Sequence, residues 1–434
     1  MTTRALPISV AAKSKSRQVL AGVALLTLAF APILWSQELP TAKPEAVGLS
    51  PEKLARIGPA VQMLVNEQKV AGAITMIARR GKIVYFEAFG QRDIDSGQPM
   101  ERDTIMRFYS MSKPITSVAI MMLIEDGKLG FDDPVAKHLP ELRGVKVFLR
   151  ANGDGFATEL TKREPTVRDL LRHTSGLTYG FFGNTPVDEA YRKAGVLAPG
   201  SMLDDMTRKL GELPLLYQPG TKWNYSVGTD VLGRLVEVLS GKSLEDFFAE
   251  RIFRPLDMRD TGFFVSPDKL ARFAATHGTA EGKLRVTDAP ATSAFRHRPT
   301  LLSGGGGLVS TARDYMRFCQ MLASGGELNG KRLLRRETVE SMTANQLPDE
   351  AFPIAIGPNP RPGVGFGFGF SVQVHRDPLS AAHIGEYGWD GAASTHFWIS
   401  PKDEVVVIVL QQYMPFSMLL GQTIKPLVYD AIND

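Results

Sequence analysis

Apolar positions along the chain change their period several times, and the changes mark out the elements. From Pro51 to Gln68 they recur at Leu54, Ile57, Val61 and Leu64, the spacing of one face of a helix. Two β-rich runs follow, "AGAITMIAR" and "KIVYFEAFG", joined at Arg80-Gly81, which predicts an antiparallel hairpin. Residues 110 to 126 read as a helix that is apolar nearly all round and closed by Gly127 at C′, so it is expected to be buried rather than half-exposed. From there to about residue 300 helical and loop patterns dominate and strands are few; "TVRDLLRHTSGL" and "GTDVLGRLVEVLSGKSLEDFFAERIF" are the clearest helices. Alternation returns in "VGFGFGFSVQVH", and "AASTHFWIS" with "DEVVVIVLQQ" predicts a second hairpin across "PKD", before a closing helix over 416 to 432.

Strands at both ends around a helical middle predict an α+β fold of two lobes, with no internal repeat. An antiparallel sheet formed by both termini and flanked by helices is expected from residues 50–130 and 300–434. An inserted, mainly α-helical lobe is expected from 131–299, and residues 37–49 are expected to be a linker.

Composition changes this picture only at the N-terminus. The formal charge of +4 comes from Arg4, Lys13, Lys15 and Arg17, which no acid in residues 1–36 offsets; 4 − 4 leaves the remainder near zero. With no basic excess in the rest, nucleic-acid binding has no electrostatic footprint. The basic stretch "KSKSR" ahead of the uncharged run Val19 to Trp35 reads as a signal peptide over 1–36, cut after Ser36, and so as a periplasmic or secreted protein. The alternative is a retained membrane anchor, since the run is just long enough to span; the lone Cys319 rules out a lipobox. Cys319 is expected to be a buried hydrophobe, and the seven scattered histidines form no ligand cluster, so no metal and no cofactor is expected.

Candidate chemistry centres on Ser-x-x-Lys, which occurs three times. At Ser50 and Ser266 a proline follows the serine and an acid follows the proline, the signature of a capped helix start. "RFYSMSKPIT" has neither. Lys113 stands in the first turn of the apolar helix, where a cation faces the wrong end of the helix dipole. Catalysis gives it a reason: at i and i+3 it shares a face with Ser110, and burial and the dipole are expected to favour the neutral amine that a general base requires. No Gly-x-Ser-x-Gly is present, so the nucleophile elbow of the α/β-hydrolases is excluded.

The runs "FYSMSKPITSVAIMMLIEDGKLGFDDPV", "LLRHTSGL", "PGTKWNYSVGTDVLGRLVEVLSG" and "GWDGAASTHFWISP" follow in the order seen in the serine β-lactamase-like superfamily. Over about residues 45 to 430 the chain most resembles its carboxylesterase branch, the family VIII esterases, which are similar to class C β-lactamases. The resemblance implies that Tyr225 shuttles a proton between Ser110, Lys113 and the leaving group. It implies that Trp389-Asp390-Gly391 stands in place of Lys-Thr-Gly at the start of the strand lining the site, in preference to His383-Ile384-Gly385. It implies an oxyanion hole from the amides of Ser110 and Ala392, with Trp389, Gly391 and Tyr109 against the substrate. "LLRHTSGL" is expected to be structural, a helix end capped by Gly176 with His173 in local hydrogen bonds.

Three departures bear on substrate. Val227 stands where lactamases carry Asn, and Trp389 where they carry the cation that holds a β-lactam carboxylate. Asp390, where the esterases have glycine, is expected to repel an anion. Losing one charge-assisted hydrogen bond costs roughly 1.5–3 kcal/mol, so small-molecule neutral esters with an apolar acyl or alcohol part are the expected substrates. The expected reaction is acyl transfer through Ser110 with Lys113 and Tyr225 as base. A β-lactamase, D,D-peptidase or other amide hydrolase, an acyltransferase, and a non-catalytic binding or sensor relative are the alternatives.

Overall fold

The computed structural model describes residues 38–153 and 155–433. The expected signal peptide lies outside the described residues. An eight-stranded antiparallel sheet is built from β1 (Gly72–Arg79), β2 (Lys82–Asp93), β3 (Gln98–Pro99), β4 (Val364–Phe366), β5 (Ser371–Gln373), β6 (Tyr387–Gly391), β7 (Thr395–Ser400) and β8 (Val405–Leu410). Their order is β4-β5-β6-β7-β8-β1-β2-β3, so the two chain ends meet where β8 pairs with β1. Seven helices matter below: α1 (Pro51–Leu54), α2 (Ile57–Asn66), α3 (Ser112–Glu125), α4 (Val167–Leu171), α5 (Gly228–Ser240), α6 (Ala312–Ala323) and α7 (Leu419–Asp430).

Strand periodicity divides the core. Ile74, Met76, Ala78, Phe397, Val406 and Ile408 join the large core that contains α3, α5 and α6. Their neighbours Ala73, Ile77, Trp398, Val405 and Val407 face a smaller core under α1, α2 and α7. Central strands covered on both faces therefore read as unbroken apolar runs, as "VVVIVL" does. In α3 every residue from Ser112 to Leu123 is buried.

Several elements differ from the pattern-based expectation. The first helix is two, because Pro59 has no N–H to carry the ladder across the break. "VGFGFGFSVQVH" is not one strand but β4, a turn through Gly369 (φ 95°), and β5, which leaves Phe366, Phe368 and Phe370 all fully buried. The middle of the chain holds two hairpins besides its helices, Lys146–Asn152 with Gly155–Leu160 and Thr276–Ala280 with Lys283–Asp288. Residues 38–49, expected as a linker, bury Leu39, Val47 and Leu49 against the rest. Ser50 Oγ accepts from the Lys53 amide at 3.3 Å as a helix cap should, whereas Ser266 precedes only a 3-10 turn and its side chain makes no cap bond.

Candidate active site

Ser110 lies in a 3-10 turn, Tyr109–Met111, immediately ahead of α3, so the helix begins two residues later than the pattern suggests. Tyr109 holds φ at 44°, a conformation that L residues other than Asn, Asp and His rarely adopt. Its ring sits edge-on to Phe295 at 5.8 Å, and burial raises its phenol above the ordinary value. The side chain is thus fastened on one side and the unusual backbone is held in place by packing.

Lys113, completely buried, donates to Ser110 Oγ at 3.1 Å and to the carbonyl of Gly305 at 2.6 Å. Its Nζ stands 4.6 Å from the centroid of the Tyr225 ring and 5.3 Å from that of Tyr179. Tyr225, just before α5, is buried, and its hydroxyl oxygen accepts from the indole N–H of Trp389 at 3.3 Å. Four residues drawn from positions 110, 113, 225 and 389 therefore converge on one spot.

Trp389 and Gly391 end β6 rather than begin the next strand; the turn Ala392–Ser394 leads on into β7. A Cβ at Gly391 would lie 2.3 Å from the carbonyl oxygen of Phe108, so only glycine lets β6 close on the segment that carries Ser110. The amide of Ala392, next along, donates to no backbone carbonyl among the described residues. His383 lies elsewhere, 2.6 Å from Asp403 and with its ring tilted against Tyr429 at 4.3 Å.

Sequence reasoning missed the support behind Lys113. Ser303 to Gly307 form a glycine loop whose Gly305 carbonyl faces the amine. Asp230, fully buried in the first turn of α5 and five residues after Tyr225, accepts from the Gly305 amide at 3.0 Å and from Ser303 Oγ at 2.5 Å. Burial pushes its carboxyl above the ordinary range, although Lys113 and these donors pull the other way. A Cβ at Gly305 would fall 2.6 Å from Asp230 Oδ2, so the loop must be glycine there. The signals were present in "SGGGG" and in an acid inside the apolar "GTDVLG", but nothing in either names the other.

The walls are aromatic. Tyr179 packs 5.2 Å from Tyr225, and Phe182 5.5 Å from it, while Phe181 and Phe182 remain 60% and 41% exposed. Burial, then the nearby Tyr225 and Asp230, hold the Tyr179 phenol well above its usual value. His173 is buried behind Tyr225 at 5.1 Å with Nδ1 3.2 Å from Ser226 Oγ. Burial and Lys113 keep its ring well below the usual histidine range, and it, not only Gly176, takes a positive φ after α4. Val227 is completely buried, so position 227 offers the site neither a donor nor a surface.

One expectation about charge is overturned. Asp390 does not face the site, because side chains alternate along a strand and Trp389 already takes that face. It points to the outer face of the sheet, bound to Arg361 Nη2 at 2.9 Å and to His396 Nδ1 at 2.8 Å, directly opposite His396 on β7. No anion at Ser110 meets it. Among the described residues no group of His, Cys, Asp and Glu is placed to hold a metal ion, and no helix is long and apolar enough to cross a membrane.

Comparison with known proteins is consistent with this geometry. The family model described as β-lactamase matches residues 57–421. Protein Rv1367c of Mycobacterium tuberculosis is 37% identical over 362 residues, covering 80% of this chain and 86% of its own. Esterase EstB of Burkholderia gladioli is 31% identical over 299 residues, 64% of this chain and 72% of its own. Among solved structures, EstCE1, described as a hydrolase with promiscuous acyltransferase activity, superposes with a TM-score of 0.74 at 27% identity, over 87% of this chain and 99% of that one.

Proposed function

The chain belongs to the β-lactamase family, in the serine hydrolase superfamily related to family VIII esterases, and from that premise we propose that it is an exported carboxylesterase acting on small neutral esters. The observation that carries the reading is the position of Lys113 Nζ, 3.1 Å from Ser110 Oγ and 2.6 Å from Gly305 O. As general base, Lys113 keeps an N–H on Gly305 and takes the serine proton across the 3.1 Å contact.

Ser110 Oγ gives that proton to Lys113 and bonds to the ester carbonyl carbon. The oxygen that gains charge is held by the amides of Ser110 and Ala392. The Trp389 N–H donated to the Tyr225 oxygen leaves the phenol's own proton free for the departing alcohol. Proton transfer from Lys113 restores Tyr225, the C–O bond to the alcohol breaks, and an acyl group stays on Ser110. Water then repeats the sequence, with the acid leaving and Ser110 regaining its proton. Relatives named esterases support the ester over the amide, as does an uncharged indole at position 389 in place of a cation.

The test is hydrolysis of p-nitrophenyl butyrate beside nitrocefin by wild type and Ser110→Ala. Ester turnover that disappears in the variant, with nitrocefin untouched, is expected; a variant at wild-type rate would sink the reading. A second reading is acyl transfer to an organic alcohol instead of water. The exposed Phe181–Phe182 pair beside Tyr225 favours it, since an apolar acceptor could rest there, and similarity to EstCE1 points the same way. Ester exchange with 1-butanol outrunning hydrolysis in water would select it.

A further inference from the structure

Beyond α7 the outer surface of β5, β6 and β7 is left open, and a cavity of about 490 Å³ lies between it, α7 and the loop around Arg361. That is the size of a small-molecule site. Neither Ser110, Lys113 nor Tyr225 lines it, although Trp389 borders both spaces. Its floor carries Asp390, His396 and Trp398, and its far wall Lys425 and Gln422.

The hydrogen-bond inventory of this lining is lopsided. Both Asp390 oxygens are taken, by Arg361 and His396, and both Glu386 oxygens by Lys425 and Tyr429. Donors are left over. Arg361 offers five N–H groups and places one on Asp390; Lys425 offers three and places one on Glu386. The indole N–H of Trp398, a side chain only 3% exposed, has no partner among the described residues. A buried donor without an acceptor is destabilising unless something supplies one. Met418, Pro362 and Leu379 add an apolar side to the same space.

We infer that this outer cavity is a second binding site, for a small monocarboxylate with a short apolar tail. The carboxylate brings the acceptors that the lining lacks and meets two cations whose acids are already shared; the tail covers Met418 and Leu379. Such an acid is the class of product that the proposed esterase releases, and only this link to turnover rests on that reading. Arg361 joins the two sites, being bound to Asp390 while its guanidinium carbon stands 5.4 Å from the centre of the Trp389 ring.

The test is calorimetric titration of the full chain with sodium hexanoate, and with hexanamide as the neutral counterpart. Saturable binding of hexanoate at one site is expected, with Kd on the order of 1 mM. Hexanamide should bind roughly tenfold or more weakly, as the loss of a charge-assisted bond implies. Arg361→Ala should weaken hexanoate by a similar factor with the thermal unfolding midpoint still cooperative, and Arg361→Lys should recover part of it. Equal binding of acid and amide, no saturation up to about 50 mM, or unchanged affinity in Arg361→Ala would overturn the inference. So would loss of hexanoate binding when Ser110 carries a phosphonate, since the acid would then occupy the catalytic cleft. Failure of the phosphonate to label Ser110 counts against the esterase reading alone, because the titration of unlabelled protein needs no turnover.

Discussion

Tyr109 offers the sharpest test of how the serine is held. At φ 44° its backbone occupies the left-handed region, which costs an L residue roughly 1–2 kcal/mol. Replacing it by alanine and by glycine removes the same ring and the same contact with Phe295, so the two variants differ only in backbone preference. Alanine keeps the strain; glycine relieves it, while its looser unfolded chain gives back roughly 0.4–1 kcal/mol. The balance favours Tyr109→Gly over Tyr109→Ala by about 1 kcal/mol, the reverse of the order at an ordinary position. Activity should run the other way. With φ unconstrained, Ser110 and its amide lose their fixed approach to Lys113 and to the turn after β6, and kcat should fall further in the glycine variant than in the alanine one. Chemical denaturation of both variants and of wild type, beside p-nitrophenyl butyrate kinetics, reads both quantities. An alanine variant as stable as the glycine variant, or stabler, would refute the claim that strain is stored at Tyr109.

Three further outcomes follow from the geometry. Trp389→Phe keeps an aromatic ring beside Phe366 and Tyr225 but deletes the N–H on the Tyr225 oxygen. A neutral bond of this kind is worth about 0.5–1.5 kcal/mol, so kcat should drop about three- to tenfold with KM nearly unchanged. Asp230→Asn retains an acceptor for Gly305 and Ser303 but removes the charge behind Lys113; about tenfold to a hundredfold loss in kcat is expected with only a small change in unfolding midpoint. Burial opposes ionisation of Asp390, yet Arg361 and His396 more than offset it and hold the carboxyl well below the ordinary aspartate range. A carboxyl depressed in the folded state adds stability above its unfolded pKa of about 3.9 and loses it as pH falls through the folded value. Asp390→Asn should therefore destabilise by about 3–5 kcal/mol near pH 7, and the gap from wild type should narrow only below about pH 4, as urea titrations at several pH values would record.

Much of this protein was legible along the chain because much of it is local. Proline after Ser50 marked a helix cap that forms, the same sign at Ser266 precedes only a 3-10 turn, and its absence after Ser110 singled that serine out as the candidate nucleophile. The apolar run after Lys113 announced a buried helix, and the hairpins at Arg80-Gly81 and across Pro401 to Asp403 are where alternation and turn residues put them. Periodicity, capping and turn chemistry act over a few residues, and a sequence records them directly. The bond of Lys113 to Gly305, the grip of Asp230 on that loop, and the indole of Trp389 on Tyr225 join residues 75 to 192 positions apart, and only packing decides such neighbours. Asp390 shows the limit most plainly. Beside Trp389 in the sequence it reads as part of the site, yet a strand turns successive side chains to opposite faces. The same step that aims the indole at Tyr225 sends the carboxylate to the far side of the sheet, where Arg361 and His396, brought there by the fold, neutralise it.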